Sequence, residues 1–427
     1  MLAFLYGLSL YANAPRYWES VALSAALLIL FGAGCVRLVP LLSSMLLGEE
    51  ERHLTREGDR TYRRCGTREL GKWFLLTLLV RLLEFPLTYL VHFRLFGYTG
   101  TFFEVQRLWL DFYHAESAFP LYGYLSNVFW IFTANFNHAR FIGSYFFTSL
   151  AVVALYYLVQ LDFDRKTARR AVRYFLLMPF SFVLMATVPD GLFLLLSILC
   201  LLFVRKRKFP LANLFGMLAV TTHALGALLF LPILAGYLSY LIGNIRSNRE
   251  MEKGYLLKQI GNLLSMLLLP LGVGLVLLYA YLRFGDPMAL YRQALGAPGV
   301  GFSGLFRWLD AGFDRSLIIG NHTAAALLGE YLPQLVYLVF ALLMILFGCG
   351  TISTSSVLLM AATVPVIFVT GRVGDTARIV TMTAPFLITL AVNVKKRWAD
   401  ALTTLLLLAM WIACFFAFIA GYAGEIG

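Results

Sequence analysis

Charged residues are scarce in this chain of 427 residues. Only 14% of them are Asp, Glu, Lys or Arg, whereas 60% are hydrophobic, and the mean hydropathy is +0.77. Soluble domains contain about 25% charged and about 45–50% apolar residues. The apolar residues form blocks of about 15–25 residues, close to the roughly 20 that a helix needs to cross a bilayer. Barrel strands would alternate apolar and polar residues, and that alternation is missing. The sequence therefore predicts an all-α, polytopic transmembrane bundle.

Motifs for metal or nucleotide chemistry are also missing. The chain has no Walker loop, HExxH, GxSxG or EF-hand pattern, so we predict neither a metal nor another cofactor. Its cysteines show no paired spacing and are interpreted as small buried hydrophobes. They are Cys35, Cys65, Cys200, Cys349 and Cys414. The net charge of +12 comes from short loops between apolar blocks. This distribution favours membrane lipid over nucleic acid as a partner.

The basic loops predict the topology. Five segments rich in Lys and Arg are expected on the cytoplasmic side: 48–72, 162–173, 205–208, 245–258 and 395–397. Threading the apolar blocks between them gives about twelve spans with both termini outside. The spans are about 21–47, 74–92, 141–160, 174–188, 191–204, 210–223, 225–244, 260–282, 331–348, 354–370, 378–393 and 400–420.

One apolar stretch does not fit this count. A full crossing at 119–133 would move the basic segment 162–173 to the outside, so 119–133 is predicted to be an interfacial or re-entrant helix. The first span and its basic loop form an extra N-terminal region, 1–73. The main transmembrane domain is predicted to be 74–427.

The remaining polar residues fall on the predicted outer face. They come from the loops 93–118 and 283–330, and from Asp190, His223 and Arg378 beside apolar sequence. Charged groups at the edge of hydrocarbon are costly and usually functional. A carboxylate can act as a general base on a hydroxyl, and arginine can bind a phosphate in bidentate fashion. This set suits transfer of a group from a lipid-linked donor. A transporter also uses such charges near helix breaks and is the alternative.

Four blocks resemble one family in the same order along the chain. Phe119-Pro120-Leu121-Tyr122 is similar to the FFPLYP motif of the PIG-V-like mannosyltransferases, a GT-C family. The stretch 178–234 resembles that family's FPxSFFLSAPYSESLFLLLS and LAALTRPTGLLLLP blocks. YAYLRFGDPMALYRQALG (279–296) is similar to YLYxRFGDPLAFxxAQ, and GDTARIVTMTAPFLITLAV (374–392) looks like RYxLPxFPLFLALA.

The resemblance assigns residues to the family's functional positions. In the family's first outer loop, WDAxWY, the aspartate looks catalytic. Asp111 in Trp109-Leu110-Asp111 is the best match to it, with Glu104 and Glu116 as rivals in the same loop. Asp190 stands where the family has Glu in YSES. His223 stands at the Arg of TRPTG, and Arg378 matches the Arg of RY.

The resemblance implies a GT-C glycosyltransferase of the cell membrane with its active site on the outer face. It would move mannose or a similar hexose from a polyprenyl-phosphate donor to a lipid or glycan acceptor and invert the anomeric centre. The expected base is Asp111, and the expected phosphate-binding residues are Arg378, Arg283 and His223. The expected pocket residues are Asp190, Asp286, Glu104, Glu116 and Tyr122. Tyr122 would stack on a sugar ring or, alternatively, serve as an interfacial aromatic anchor. Two alternatives stay open: a transporter or flippase for a lipid-linked glycan, and a catalytically inactive membrane subunit.

Overall fold

The computed structural model describes residues 67–90, 119–133, 136–246, 253–295, 332–370 and 376–426. Every regular element within these ranges is a helix, and no strand occurs in them. The predicted all-α fold is thereby confirmed for this part of the chain. The predicted span 21–47 and the loop 93–118 lie outside the described residues.

The first half of the described chain contributes seven α-helices. They are α1 (Thr67–Leu90), α2 (Pro120–Ser126), α3 (Trp130–Thr133), α4 (Phe136–Asp162), α5 (Arg165–Leu177), α6 (Asp190–Arg205) and α7 (Phe209–Val220). Three short 3-10 helices interrupt this half or follow it: Asn127–Phe129, Ser181–Met185 and Ala224–Leu229.

The second half consists of a further set of mostly apolar helices. They are α8 (Phe230–Arg246), α9 (Lys253–Ser265), α10 (Leu268–Phe284), α11 (Ala289–Leu295), α12 (Leu332–Gly348), α13 (Thr354–Thr370), α14 (Thr376–Met382), α15 (Ala384–Asn393) and α16 (Arg397–Ile426).

Membrane-spanning helices are evident in both halves. Four helical segments of the described chain are long and apolar enough to cross a bilayer. They are Ala139–Asp162, Ala224–Asn244, Gln259–Phe284 and Arg397–Phe416. A fifth span results if α14 and α15, which meet at a bend of 73°, are taken together. These spans fit a membrane protein. The full count of about twelve remains a prediction.

Helix α4 lies at the centre of the bundle. Its apolar window is 83% buried, whereas the windows of the other three candidate spans are only 17–33% buried. The outer helices instead expose leucines such as Leu271, Leu278 and Leu282 of α10. An apolar surface of this kind is costly in water and is satisfied by lipid. The interior holds small polar side chains, including Ser144 and Ser149 of α4, as expected for close helix packing in a membrane.

The segment between α4 and α6 differs from its prediction. The sequence predicts a basic loop over 162–173 and a span over 174–188, but α5 begins at Arg165 and ends at Leu177. Asp164 caps this helix by accepting a hydrogen bond from the Thr167 N–H at 3.1 Å. The reason is amphipathicity: apolar residues recur at helical spacing and are buried, while several arginines face outward. The buried ones include Ala168, Val172 and Phe175.

The predicted interfacial segment 119–133 is helical but broken. It consists of α2, a 3-10 turn and α3. As one straight helix its residues would extend about 20 Å, less than the roughly 30 Å of a hydrocarbon core. Tyr122 and Phe129 are buried against the bundle, while Ile131 is 75% exposed. Its position at a membrane interface remains a prediction.

Three of the basic segments gather at one end of the bundle. Arg205 at the end of α6 pairs with Asp162 at the end of α4, at 2.5 Å. Arg170 of α5 pairs with Asp400 of α16 at 3.2 Å. This basic end therefore includes residues from 162–173, 205–208 and the start of α16. The clustering fits the positive-inside expectation, whereas the side of the membrane stays a prediction.

Candidate functional site

A buried ion pair lies at the other end of the bundle. Asp190 is the first residue of α6, and Arg378 lies in α14. The Arg378 Nη2 donates to Asp190 Oδ1 at 2.8 Å, and its Nε donates to Oδ2. The Asp190 side chain is fully buried, whereas 13% of the Arg378 side chain is exposed. The aspartate is therefore closed to a ligand, whereas part of the arginine side chain reaches the surface.

The position of Asp190 depends on the glycine that follows it. A Cβ on Gly191 would lie 2.3 Å from Thr148 Oγ1 and 3.3 Å from the Ser144 carbonyl oxygen, both in α4. Only a residue without a side chain permits this close approach of α6 to α4. The carboxylate at the first position of α6 also interacts favourably with the helix dipole.

His223 lies between two aromatic rings, one of which belongs to Phe193, three residues after Asp190 in α6. It caps the 3-10 helix that begins at Ala224, because its Nδ1 accepts a hydrogen bond from the Leu225 N–H at 3.1 Å. The ring centroid lies 6.5 Å from that of Phe119 and 5.2 Å from that of Phe193. A ring nitrogen that accepts a hydrogen bond carries no proton, so the imidazole is neutral with its proton on Nε2. It can donate this proton in a hydrogen bond to an anion.

Tyr122 is buried, which does not fit its predicted role of stacking on a sugar ring. The side chain has no exposed surface, so it cannot stack on a sugar ring in this structure. Its hydroxyl donates to the Arg140 carbonyl oxygen at 2.7 Å and lies 2.6 Å from Ser144 Oγ. Ser144 has one hydroxyl proton, which it can donate to the Tyr122 hydroxyl or to the Val188 carbonyl oxygen at 3.2 Å. Tyr122 therefore ties α2 to α4 and to the residues just before Asp190.

Asp286 and Arg283 lie at the end of α10. Asp286 pairs with Arg292 of α11, with 2.9 Å between Oδ2 and Nη2, and accepts a hydrogen bond from the Met288 N–H. Arg283 is exposed and donates to the Tyr279 hydroxyl of its own helix at 2.5 Å. The sequence gives no role to Arg292, although it lies six residues after Asp286.

Aromatic contacts connect α11 to the histidine. The ring of Tyr291 meets that of Phe119 edge-on at 5.7 Å, and Phe119 stacks on His223. Asp190, Arg378, His223 and Asp286 thus belong to one end of the bundle, which we call the Asp190 end. The expected base Asp111 and its rivals Glu104 and Glu116 lie outside the described residues. Among those described, no three His, Cys, Asp or Glu side chains form a metal-binding group.

A second buried ion pair was not anticipated from the sequence. Arg81 and Glu84 of α1 are 2.5 Å apart, with side chains only 1% and 2% exposed. The sequence does contain a signal for it, since two opposite charges lie three residues apart within an apolar run. Charged groups inside a membrane helix rarely occur without a partner. Both residues face the interior of the bundle.

No protein-family model, curated protein or solved structure matches the chain. The family resemblance therefore rests on the ordered sequence blocks and on the residues that carry them.

Proposed function

We propose that this protein is an integral membrane glycosyltransferase of GT-C type, with about twelve spans and its catalytic domain over 74–427. It would transfer mannose or a similar hexose from a polyprenyl-phosphate donor to a lipid or glycan acceptor on the outer face of the cell membrane. The observation that carries this proposal is the contact between Asp190 and Arg378. These residues come from two separate blocks that resemble the PIG-V-like family, and each stands at a functional position of its block.

In this proposal Arg378 binds the phosphate of the donor. Its guanidinium has five N–H donors, so it can hold a carboxylate and a phosphate together. The fully buried Asp190 accepts two of them and fixes the plane of the guanidinium. Asp190 is therefore a positioning residue. His223 supplies a further, neutral hydrogen-bond donor. Arg283 and Asp286 lie at the end of α10, in the same end of the bundle.

The transfer step uses a carboxylate from the preceding loop. Asp111 accepts the proton of the acceptor hydroxyl, and the hydroxyl oxygen forms a bond to the anomeric carbon. The bond from this carbon to the phosphate oxygen breaks, and the polyprenyl phosphate leaves with the electron pair. Attack from the opposite side inverts the anomeric centre. The positive charge of Arg378 stabilises the leaving phosphate, and Asp111 later releases its proton to water. Glu104 and Glu116 are the alternative bases.

A transporter or flippase is the second candidate, and one observation favours it. The pair Arg81–Glu84 is fully enclosed in the bundle, and buried charges within membrane helices often line the pathway of a substrate or proton. In a transferase the same pair would serve helix packing alone.

Two assays of the purified protein distinguish the candidates. A panel of radiolabelled polyprenyl-phosphate sugars in detergent, with membrane extract as acceptor, should give a labelled product and free polyprenyl phosphate. The same donors in proteoliposomes should not change leaflet faster than in empty liposomes. Movement across the bilayer without loss of donor would support the transporter, and no reaction in either assay would favour an inactive subunit.

A further inference from the structure

A cavity of about 310 Å³ lies at the basic end of the bundle. Its walls come from the ends of α4 and α6, from α8 and from the start of α13. Asp190 and Arg205 are the first and last residues of α6, so the cavity lies about 22 Å from the Asp190–Arg378 pair along that helix. It is therefore independent of the proposed transferase site.

The charged groups of the cavity give it a positive balance. Arg205 and Arg207 both line it, and Asp162 is the single carboxylate among the lining residues. Arg205 is paired with Asp162 at 2.5 Å. The guanidinium of Arg207 lies 5.4 Å from the ring centre of Tyr240, which also lines the cavity. One cationic group thus remains in excess of the acidic one.

Hydroxyl groups at the start of α13 complete the polar side. Ser353 Oγ lies 2.9 Å from Ser356 Oγ, and the Ser353 carbonyl accepts the N–H of Ser356. Ser355 is 92% buried, being 8% exposed, and it lines the cavity. Within the described chain its hydroxyl makes no hydrogen bond, and the oxygen keeps some accessible surface, so it can donate to a molecule in the cavity. The N-terminus of α13 adds its positive dipole.

A glycine keeps this hydroxyl accessible. A Cβ on Gly236 would lie 3.2 Å from Ser355 Oγ and 2.4 Å from Val204 Cγ1. The other wall of the cavity is apolar and includes Leu158, Val159 and Leu201. Positive and hydroxyl groups beside an apolar wall match a molecule that carries both a phosphate and a hydrocarbon chain.

We propose that this cavity binds a phosphate group, with Arg207 and the Ser355 hydroxyl as its principal donors and with the headgroup of an anionic phospholipid as its source. The apolar wall would receive the glycerol and the first methylenes of the acyl chains. Free inorganic phosphate has the same headgroup chemistry without the chains, so the test separates the two sources.

The test uses the purified full chain and three variants. Native mass spectrometry would count bound dioleoyl phosphatidic acid against dioleoyl phosphatidylcholine, and thermal unfolding in detergent would follow inorganic phosphate. Arg207→Gln removes the unpaired cation. Ser355→Asp places a negative charge in the cavity, where the start of a helix tolerates Asp well. Lys396→Gln is the matched control, because Lys396 is an exposed cation of the same end that does not line the cavity.

We expect phosphatidic acid to bind in preference to phosphatidylcholine. The affinity for phosphatidic acid should fall about tenfold or more in Arg207→Gln and in Ser355→Asp, because this is the scale of one lost charge-assisted hydrogen bond. Lys396→Gln should bind like the wild type. The alternative result is that inorganic phosphate stabilises the wild type as strongly as phosphatidic acid does, and that the variants weaken both ligands equally. That result would confirm the phosphate site and would identify free phosphate as its ligand. Equal binding of phosphatidylcholine, equal binding by all variants, or no binding of either phosphate source would overturn the proposal.

Discussion

At the scale of single residues, the Asp190–Arg378 pair is the feature on which the account depends most. Asp190 has no exposed surface and accepts two N–H groups from one guanidinium. A carboxylate in that environment is stable only while its partner is present, since an unpaired buried charge is costly. The pair therefore has two separable effects: each charge prevents the other from being buried without a partner, and Asp190 fixes the orientation of Arg378.

A double-mutant cycle separates these effects. Arg378→Gln or Asp190→Asn alone should destabilise the protein by about 3–5 kcal/mol, because each leaves a buried charge without its partner. The combined variant should recover much of this loss, because both charges are then absent. Thermal unfolding in detergent measures the stability of all four proteins.

Activity should not follow stability in this cycle. The combined variant lacks the phosphate-binding cation and is expected to transfer no sugar even where it is stable. If it transferred sugar at the wild-type rate, the pair would be structural alone. Arg173→Gln is a suitable control, since it breaks an ion pair with Asp400 at the basic end and should leave transfer unchanged.

The sequence alone was sufficient to select Asp190 and Arg378 as candidates, because each is a charged residue beside apolar sequence. Their contact was not predictable, since it joins two helices far apart in the chain. The opposite holds for Tyr122: its sequence context gave it a sugar-binding role, but its hydroxyl is used inside the protein. Burial of an aromatic side chain depends on tertiary packing, which a motif does not report.

At the scale of elements, the junction between α4 and α6 determines where the Asp190 end is built. Gly191 permits the two helices to approach at Thr148. Gly191→Ala should therefore destabilise the protein by about 1–3 kcal/mol through overpacking, and it should lower transfer because Asp190 is the adjacent residue.

Two further variants test this explanation by thermal unfolding and transfer. Thr148→Ala in the Gly191→Ala background removes the nearest atom and should restore most of the stability. Gly274→Ala places a methyl group in a helix where nothing lies within 4 Å and should be neutral or slightly stabilising. A tolerated Gly191→Ala would show that the junction is looser than the structure indicates.

Helix α5 shows why element boundaries could not be read from composition. Its arginines indicated a basic loop, and the apolar residues after them indicated a separate span. The structure joins most of the predicted loop and only the first four residues of the predicted span, 174–177, in one amphipathic helix. Its buried face is visible only at a period of 3.6 residues. Arg170 and Arg173 then hold Asp400 of α16, so the charges that indicated a loop serve helix packing.

At the scale of the whole molecule, the two ends have different compositions. The basic end holds Arg165–Arg173 and Arg205–Lys208, and the other end holds the Asp190–Arg378 pair. The positive-inside rule predicts that the basic end faces the cytoplasm. The all-α membrane character followed from hydropathy alone, whereas the number of crossings depends on short helices whose length does not identify them as spans.

Cys349 offers a direct test of this orientation. Unlike Cys200 and Cys414, which are buried as expected, it is exposed, in the turn between α12 and α13. It lies beside the serines that line the basic-end cavity. A variant that retains Cys349 as its single cysteine should react with a membrane-impermeant maleimide only after the cells are permeabilised. Labelling of intact cells would place the basic end outside and would reverse the proposed orientation of the active site.

Sugar transfer with a carboxylate as base is tested by comparing purified wild type with Asp111→Asn. Both are assayed for transfer from a radiolabelled polyprenyl-phosphate donor. We expect transfer by the wild type and a loss of about 100-fold or more in the variant, the scale of lost general-base catalysis. Unchanged transfer by Asp111→Asn would move the base to Glu104 or Glu116. No transfer by the wild type from any donor of the panel would contradict the account.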